Sequence, residues 1–329
     1  MRPLFVVSFL VWAVLLLPHG VSAHEVYVLS PETIAHDLAT PSQSPLDAFS
    51  GHEDQFFLWA FIGFIFVSTI FFASITHRLE EFFARFLNPL RAYSPLVARL
   101  TLGICLLACG YNYALFGPEL PFGDFGIFGV AAQWAFYISG VLIISGYFVR
   151  AAAIVAGGVF VAGIALYGTY MLNYTNYLGE MVVVFMLAMA GTAGRKQWEP
   201  YAFLVLRIAF GISVAFAAVY AKFIHSNLAL STISQYHLTN FFHFDPLFIV
   251  LGACIIEVTM GIFFIIGFEI RHTSLFFLFW ILLSLLYFGE SVWPHLVLVG
   301  VNMALFMYGY DKWTVEGRFF NRGKLQPFL

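Results

Sequence analysis

Residues 246–271 read PLFIVLGACIIEVTMGIFFIIGFEIR, a run long and apolar enough to cross a bilayer, with one acid near its middle and an arginine at its end. A spanning helix needs about 20 predominantly apolar residues. Glu257 lies eleven residues past Pro246, about 16 Å at the ~1.5 Å rise of a helix, near the centre of a hydrocarbon layer about 30 Å thick. A charge at that depth costs at least ~2.5 kcal/mol, so the side chain must face the interior of a bundle. Either it serves a site there or it hydrogen-bonds a neighbouring helix.

Outward from this stretch the composition is of one kind. Of 329 residues, 61% are hydrophobic, 19% aromatic and 10% charged, whereas soluble domains carry about a quarter charged residues. A chain with 15 Lys and Arg and a net charge of −3 lacks the cations that nucleic-acid binders use to neutralise phosphates. The expectation is all-α: a multi-spanning protein whose first partner is the lipid bilayer. Apolar segments recur at Phe56–Ile75, Leu96–Phe116, Ile127–Val149, Ala151–Tyr170, Tyr177–Gly194, Ala202–Ala221, Leu247–Phe268, Thr273–Gly289 and Leu296–Tyr310, about nine transmembrane helices. Between the first two, His77 to Pro89 reads as an amphipathic helix lying in the interface.

Arg2, the apolar run Leu4–Leu17, Pro18 and the small residues of Val21-Ser22-Ala23 read as a signal peptide over 1–23, with an uncleaved anchor as the alternative. Residues 24–55 then form an extracytoplasmic segment, irregular around Thr40–Pro45. When nine helices alternate, every Lys and Arg from Arg78 onward except Lys222 falls on one side. Positive residues mark the cytoplasm, which places the C-terminus inside and the protein in the cell (inner) membrane. The outer side holds the acids together with His24, His36, His52, His225, His237, His243 and His295. That face would attract cations, although exclusion of Lys and Arg alone would also enrich it in other polar residues. Cleavage after Ala23 would give His24 a free amine and an imidazole for one copper or zinc ion, with His36, His52, His237 and His243 as further candidate ligands. Each His is also explained as an interfacial hydrogen-bonder.

Two similar modules follow 56–95, which holds the first transmembrane helix and the interfacial amphipathic helix. Arg99-Leu-Thr-Leu-Gly103 recurs as Arg207-Ile-Ala-Phe-Gly211; Gly140, Gly146 and Arg150 recur as Gly261, Gly267 and Arg271; Gly168 and Gly179 match Gly289 and Gly300. The modules cover 96–195 and 196–312, and 313–329 is a cytoplasmic tail. Each module has four helices, so the repeats are parallel. Where the second has Lys222, Glu257, Glu290 and Asn302, the first has Ala114, Phe136, Thr169 and Met181. The first reads as scaffold, the second as the bearer of a site. Asn302 and His295, seven apart, share a helical stripe that points toward Glu257. Lys222, at the outer end of its helix, either pairs with Asp245 or Glu290 or snorkels outward. A direct Lys222–Glu257 pair requires that helix to tilt or re-enter.

Arg207, Gly211 and Lys222, with Glu257-Val-Thr-Met-Gly261 and Gly267-Phe-Glu-Ile-Arg271, resemble the DoxX-like superfamily of four-helix membrane proteins. The resemblance covers Leu206–Tyr310 well and Leu100–Met189 weakly. That family includes a subunit of an archaeal thiosulfate:quinone oxidoreductase, and many members have no assigned activity. It implies two tandem DoxX-like modules and a component of an outward-facing, quinone-linked redox system, whose quinone head group hydrogen-bonds His295, Asn302 or Glu257. A redox or periplasmic protein subunit is the partner such a system would need. A metal-ion or proton-coupled carrier is the second reading, and a non-catalytic membrane scaffold the third. The sequence contains no CxxC, HExxH, haem-attachment, nucleophile-elbow or phosphate-loop motif.

Overall fold

Apolar side chains in lipid leave the backbone no partner but itself, and helices are the open-chain solution. The computed structural model describes residues 29–50, 53–75, 78–241, 243–288 and 293–319, and these are predominantly helical, with no strand among them. Outside the bundle lie α1 (Pro31–Ala39), α2 (Glu53–Ile75) and α3 (Arg78–Leu87). The bundle is built from α4 (Ser94–Tyr111), α5 (Gly129–Ser145), α6 (Val149–Tyr167), α7 (Thr175–Ala218), α9 (Pro246–Ile266), α10 (Ile270–Phe288) and α11 (Leu296–Tyr308). Helix α8 (Ser226–Gln235) sits in the connector before α9, and α12 (Val315–Phe319) closes the described chain. Five stretches are long and apolar enough to cross a membrane: Phe83–Tyr111, Phe122–Ser145, Val149–Ile224, Pro246–Ile266 and Ile270–Phe288. The chain is therefore a multi-pass membrane protein. The proposed signal, His24, His52, Glu290 and the end of the tail lie outside the described residues.

Val149–Ile224 absorbs three of the segments expected to be separate. Helix α7 alone has 44 residues, about 66 Å if straight, roughly twice the hydrocarbon thickness. It is not straight. Gly191 adopts φ 60, ψ −165, a conformation essentially reserved for glycine, and the chain reverses there. Thr175 Oγ1 donates to the Ala209 carbonyl at 2.8 Å, and Ser213 Oγ donates to the Asn173 carbonyl. The rising partner number on one side against the falling number on the other makes the halves antiparallel. The polar link expected near 195–201 is helical instead, carrying an Arg195–Glu199 pair at 3.3 Å.

The repeated glycines perform the same task twice. A Cβ on Gly140 would come 2.8 Å from the Gly103 carbonyl oxygen, and one on Gly261 would come 2.7 Å from that of Gly211. Small residues let helix backbones approach this closely, the usual device in lipid. Gly146 and Gly267 end the following helices in the left-handed conformation, and Arg99 and Arg207 lie over them. The seams between repeats also match. A Cβ on Gly179 would come 2.8 Å from Ala209 Cβ, while one on Gly300 would meet the Thr101 side chain. Ala209 and Thr101 hold equivalent repeat positions, as do Gly179 and Gly300. The last helix of each repeat thus packs on the first helix of the other, closing a ring.

One side of that ring is filled. Phe116 stacks near Tyr177 at 4.3 Å and near Phe136, Phe160 and Tyr174 at 5.4–5.8 Å. Phe136 stands where the second repeat has Glu257.

The end of the bundle that carries the arginines is locked by polar contacts. Arg91 donates to the Tyr310 carbonyl at 2.8 Å, Arg207 to Trp313 and Arg271 to Phe306. Val315 N donates to the Gly267 carbonyl, and buried Glu316 accepts from the Glu269 backbone N–H. The first part of the expected tail is therefore docked. Helix α3 joins it through Phe83, which packs edge-on against Phe306 and His272.

Candidate functional site

A cavity of about 570 Å³ opens on the other side of the ring, between the second repeat and residues 170–177 of the first. Its walls are mostly apolar and aromatic: Tyr174, Tyr177, Val214, Val250, Phe277 and Ile281 are among them. Polar groups enter from several elements, including Lys222, Glu257, Trp280, Ser284 and His295.

Glu257 is aimed by its helix. Asp245 caps the start of α9, accepting from Leu247 N at 2.9 Å, which satisfies one of the free N–H groups of the first turn. The Gly211–Gly261 crossing then fixes the rotation of α9 against α7, and Cys254 Sγ donates to the Ala218 carbonyl at 3.8 Å. Glu257 Oε2 accepts an ion pair from Lys222 Nζ at 3.0 Å, and its Oε1 accepts from Trp280 Nε1 at 3.2 Å. The two charged side chains are 9% and 14% exposed. A pair this sheltered exerts a strong local field, and removing one partner costs ~3–5 kcal/mol in fully buried cases.

Lys222 reaches Glu257 without the tilted or re-entrant helix that the sequence reading required. Residues Val219–Ile224 form a π-helical turn, a local widening frequent at functional sites, and it turns Lys222 into the bundle. The antiparallel register, with Cys254 against Ala218, puts the Lys222 backbone nearer the start of α9, and its long side chain reaches back along α9 to Glu257. Asp245 serves as a cap, not as the partner of Lys222.

Other candidates are sorted by the structure. His295 is buried and lines the cavity. Asn302 does not line it. Its amide is fully buried and lacks a hydrogen-bond partner among the described residues. The shared stripe failed because His295 belongs to a 3₁₀ turn, Trp293–His295, ahead of α11, where residues advance by a different angle. His36 is exposed and contacts its neighbour Asp37 at 3.3 Å. His237 is exposed with φ 51, and His243 lies 3.2 Å from the Thr239 carbonyl. Among the described residues no three His, Cys, Asp or Glu side chains come together as a metal would need; His36, His237 and His243 do not assemble a copper or zinc site.

Helix α8 covers one end of the cavity, contributing Ala229, Thr232 and Ile233. The N-terminal segment straps it down: Ser226 Oγ donates to the Gln43 carbonyl at 2.5 Å, and Asn227 Nδ2 to that of Thr40 at 3.2 Å.

Sequence reasoning missed Trp280, Tyr177 and Asn176, which carry no signal among so many aromatic and polar interface residues. It also missed Glu180, fully buried beneath the cavity, although an acid within an apolar segment was the same signal that picked out Glu257. The first repeat is not apolar scaffold alone. Comparison with protein families, with curated proteins and with solved structures finds nothing that matches this chain.

Proposed function

We propose that this chain is a DoxX-like membrane component of an outward-facing redox system and that its cavity takes the head group of a quinone. The observation that carries the reading is the Lys222–Glu257–Trp280 cluster set in the wall of an apolar, aromatic cavity of about 570 Å³. Small-molecule sites have this form: a few placed polar groups in a largely hydrophobic concavity of about 300–1,000 Å³. A quinone ring is flat and apolar at its faces and accepts hydrogen bonds at its two carbonyl oxygens. The Lys222 ammonium and the His295 imidazole are donors on different walls, and the aromatic lining suits the ring. The isoprenoid tail of such a molecule belongs in lipid.

The accompanying topology is nine spans in two tandem four-helix modules of the inner membrane, with 24–55 outside and the C-terminus in the cytoplasm. Electrons would pass between the quinone and a redox protein docked on the outer face. A metal-carrying role draws no comparable support, since the described histidines stand apart and the cavity is mainly apolar.

The test is titration of the purified protein in lipid nanodiscs with decylubiquinone, read by quenching of tryptophan fluorescence. Saturable quenching is expected, with affinity reduced about ten-fold, or ~1.4 kcal/mol, in Glu257→Gln and in Lys222→Met. Equal affinity in wild type and both variants would sink the reading.

A further inference from the structure

Glu180 is fully buried, and neither carboxyl oxygen has a hydrogen-bond partner among the described residues. Its counterpart in the second repeat is Val301, so the acid is particular to the first. It lies one helical turn from Asn176 and shares a face of α7 with Tyr177; both of those residues line the cavity. The titratable groups that face Glu180 are the Cys105 thiol, from α4, and the Tyr177 phenol, which in turn faces Cys109. No Lys, Arg or His among the described residues acts on it.

A buried ion without a partner costs several kcal/mol, so the side chain is carried as the neutral acid. Buried polar groups that serve as structural glue are almost always bonded, and this one is not. Its proton is therefore held without being used in the fold. Tyr177 connects it to the cavity: the ring forms part of the floor, and the hydroxyl lies toward Cys109 outside hydrogen-bond geometry.

We propose that Glu180 is a proton-binding site that serves the cavity, exchanging its proton through the Tyr177 hydroxyl. In the forward step the phenol turns from Cys109 toward the cavity, gives its proton to the occupant and takes the one from Glu180. The phenol ends unchanged, Glu180 is left as a carboxylate, and a proton returning by the same route restores it. No electron moves at Glu180. The step rests on the reading that a quinone, which gains protons on reduction, occupies the cavity; the storage of a proton does not.

Infrared spectroscopy of the full chain in lipid nanodiscs separates the two. Without any quinone, the wild type should show a carboxylic-acid carbonyl stretch at neutral pH that disappears in Glu180→Gln. A band unchanged by Glu180→Gln overturns the proposal, whether or not decylubiquinone binds. With decylubiquinone reduced and re-oxidised electrochemically, the Glu180 band should fall and recover. Tyr177→Phe should keep the static band and slow that change about ten-fold or more; an unchanged rate overturns the relay. Failure of decylubiquinone to bind removes the quinone reading and leaves the first measurement to decide proton storage. Glu180→Leu should unfold at the same or a higher temperature, and a lower one would make the residue structural and overturn its assignment.

Discussion

Replacing Lys222 by Met removes a cation but leaves Glu257 facing an apolar cavity with Trp280 as its remaining donor. That variant should lose about 2–4 kcal/mol, and Lys222→Met with Glu257→Gln together should lose less, because the stranded charge is gone. Thermal unfolding in nanodiscs checks the order; a double variant as unstable as the sum of the singles would refute the coupling. Asp311, between α11 and α12, supplies a pH test. Burial pushes its carboxyl above the ordinary range, against the pull of Arg207 and Arg91. The folded state thus holds this proton more tightly than the unfolded state. The stability it contributes is present at low pH and declines as pH rises above about 3.9 toward the raised folded value. Asp311→Asn should flatten that decline while Oδ1 still accepts from Trp313 N. At this scale Glu257 was legible because an acid at mid-bilayer is rare. Glu180 is equally rare, but it is polar in the first repeat alone, whereas the comparison of repeats singles out positions polar only in the second.

Among elements, the two glycine crossings stand or fall together. Gly261→Ala would drive a methyl group into the Gly211 carbonyl, and Gly140→Ala into that of Gly103. Each should cost about 1–3 kcal/mol as overpacking, with Gly261→Ala also reducing decylubiquinone affinity because α9 carries Glu257. Unfolding midpoints and binding curves for the pair test this; Gly157→Ala, on an open surface, is the control and should stay within ~0.5 kcal/mol. The crossings were legible as repeated glycines, without their purpose. The π turn at Val219–Ile224 was not legible, since nothing in its residues distinguishes it from α-helix. Nor was the hairpin at Gly191, where helix resumes at once and hydropathy sees only one interruption, displaced toward Arg195 and Lys196.

For the molecule as a whole, the cation bias predicts a cytoplasmic C-terminus. A fusion after Leu329 to a reporter active only in the cytoplasm should be active, and activity of a periplasm-only reporter at that point would reverse the topology. This asymmetry survives in the fold as a physical division: the arginines gather at one end of the bundle around the docked chain 309–319, while the cavity and its strap of residues 40–43 involve other surfaces. Membrane class was readable because lipid imposes it on composition, and the repeat because its glycines and arginines recur in the same order. The shared cavity was not, because it arises where one repeat meets the other, and no local pattern encodes a meeting.

The closed ring has a further consequence. Both seams between the repeats are made within one polypeptide, by Gly179 on Ala209 and by Gly300 on Thr101. One side of the ring is plugged by Phe116, Phe136 and Phe160, and the other is hollow. A fused pair of similar halves would ordinarily count as two equivalents. Here the proposed quinone should bind at one per polypeptide, saturating along a simple hyperbola, because the plugged half offers no second cavity of that size; titration to two equivalents would refute it.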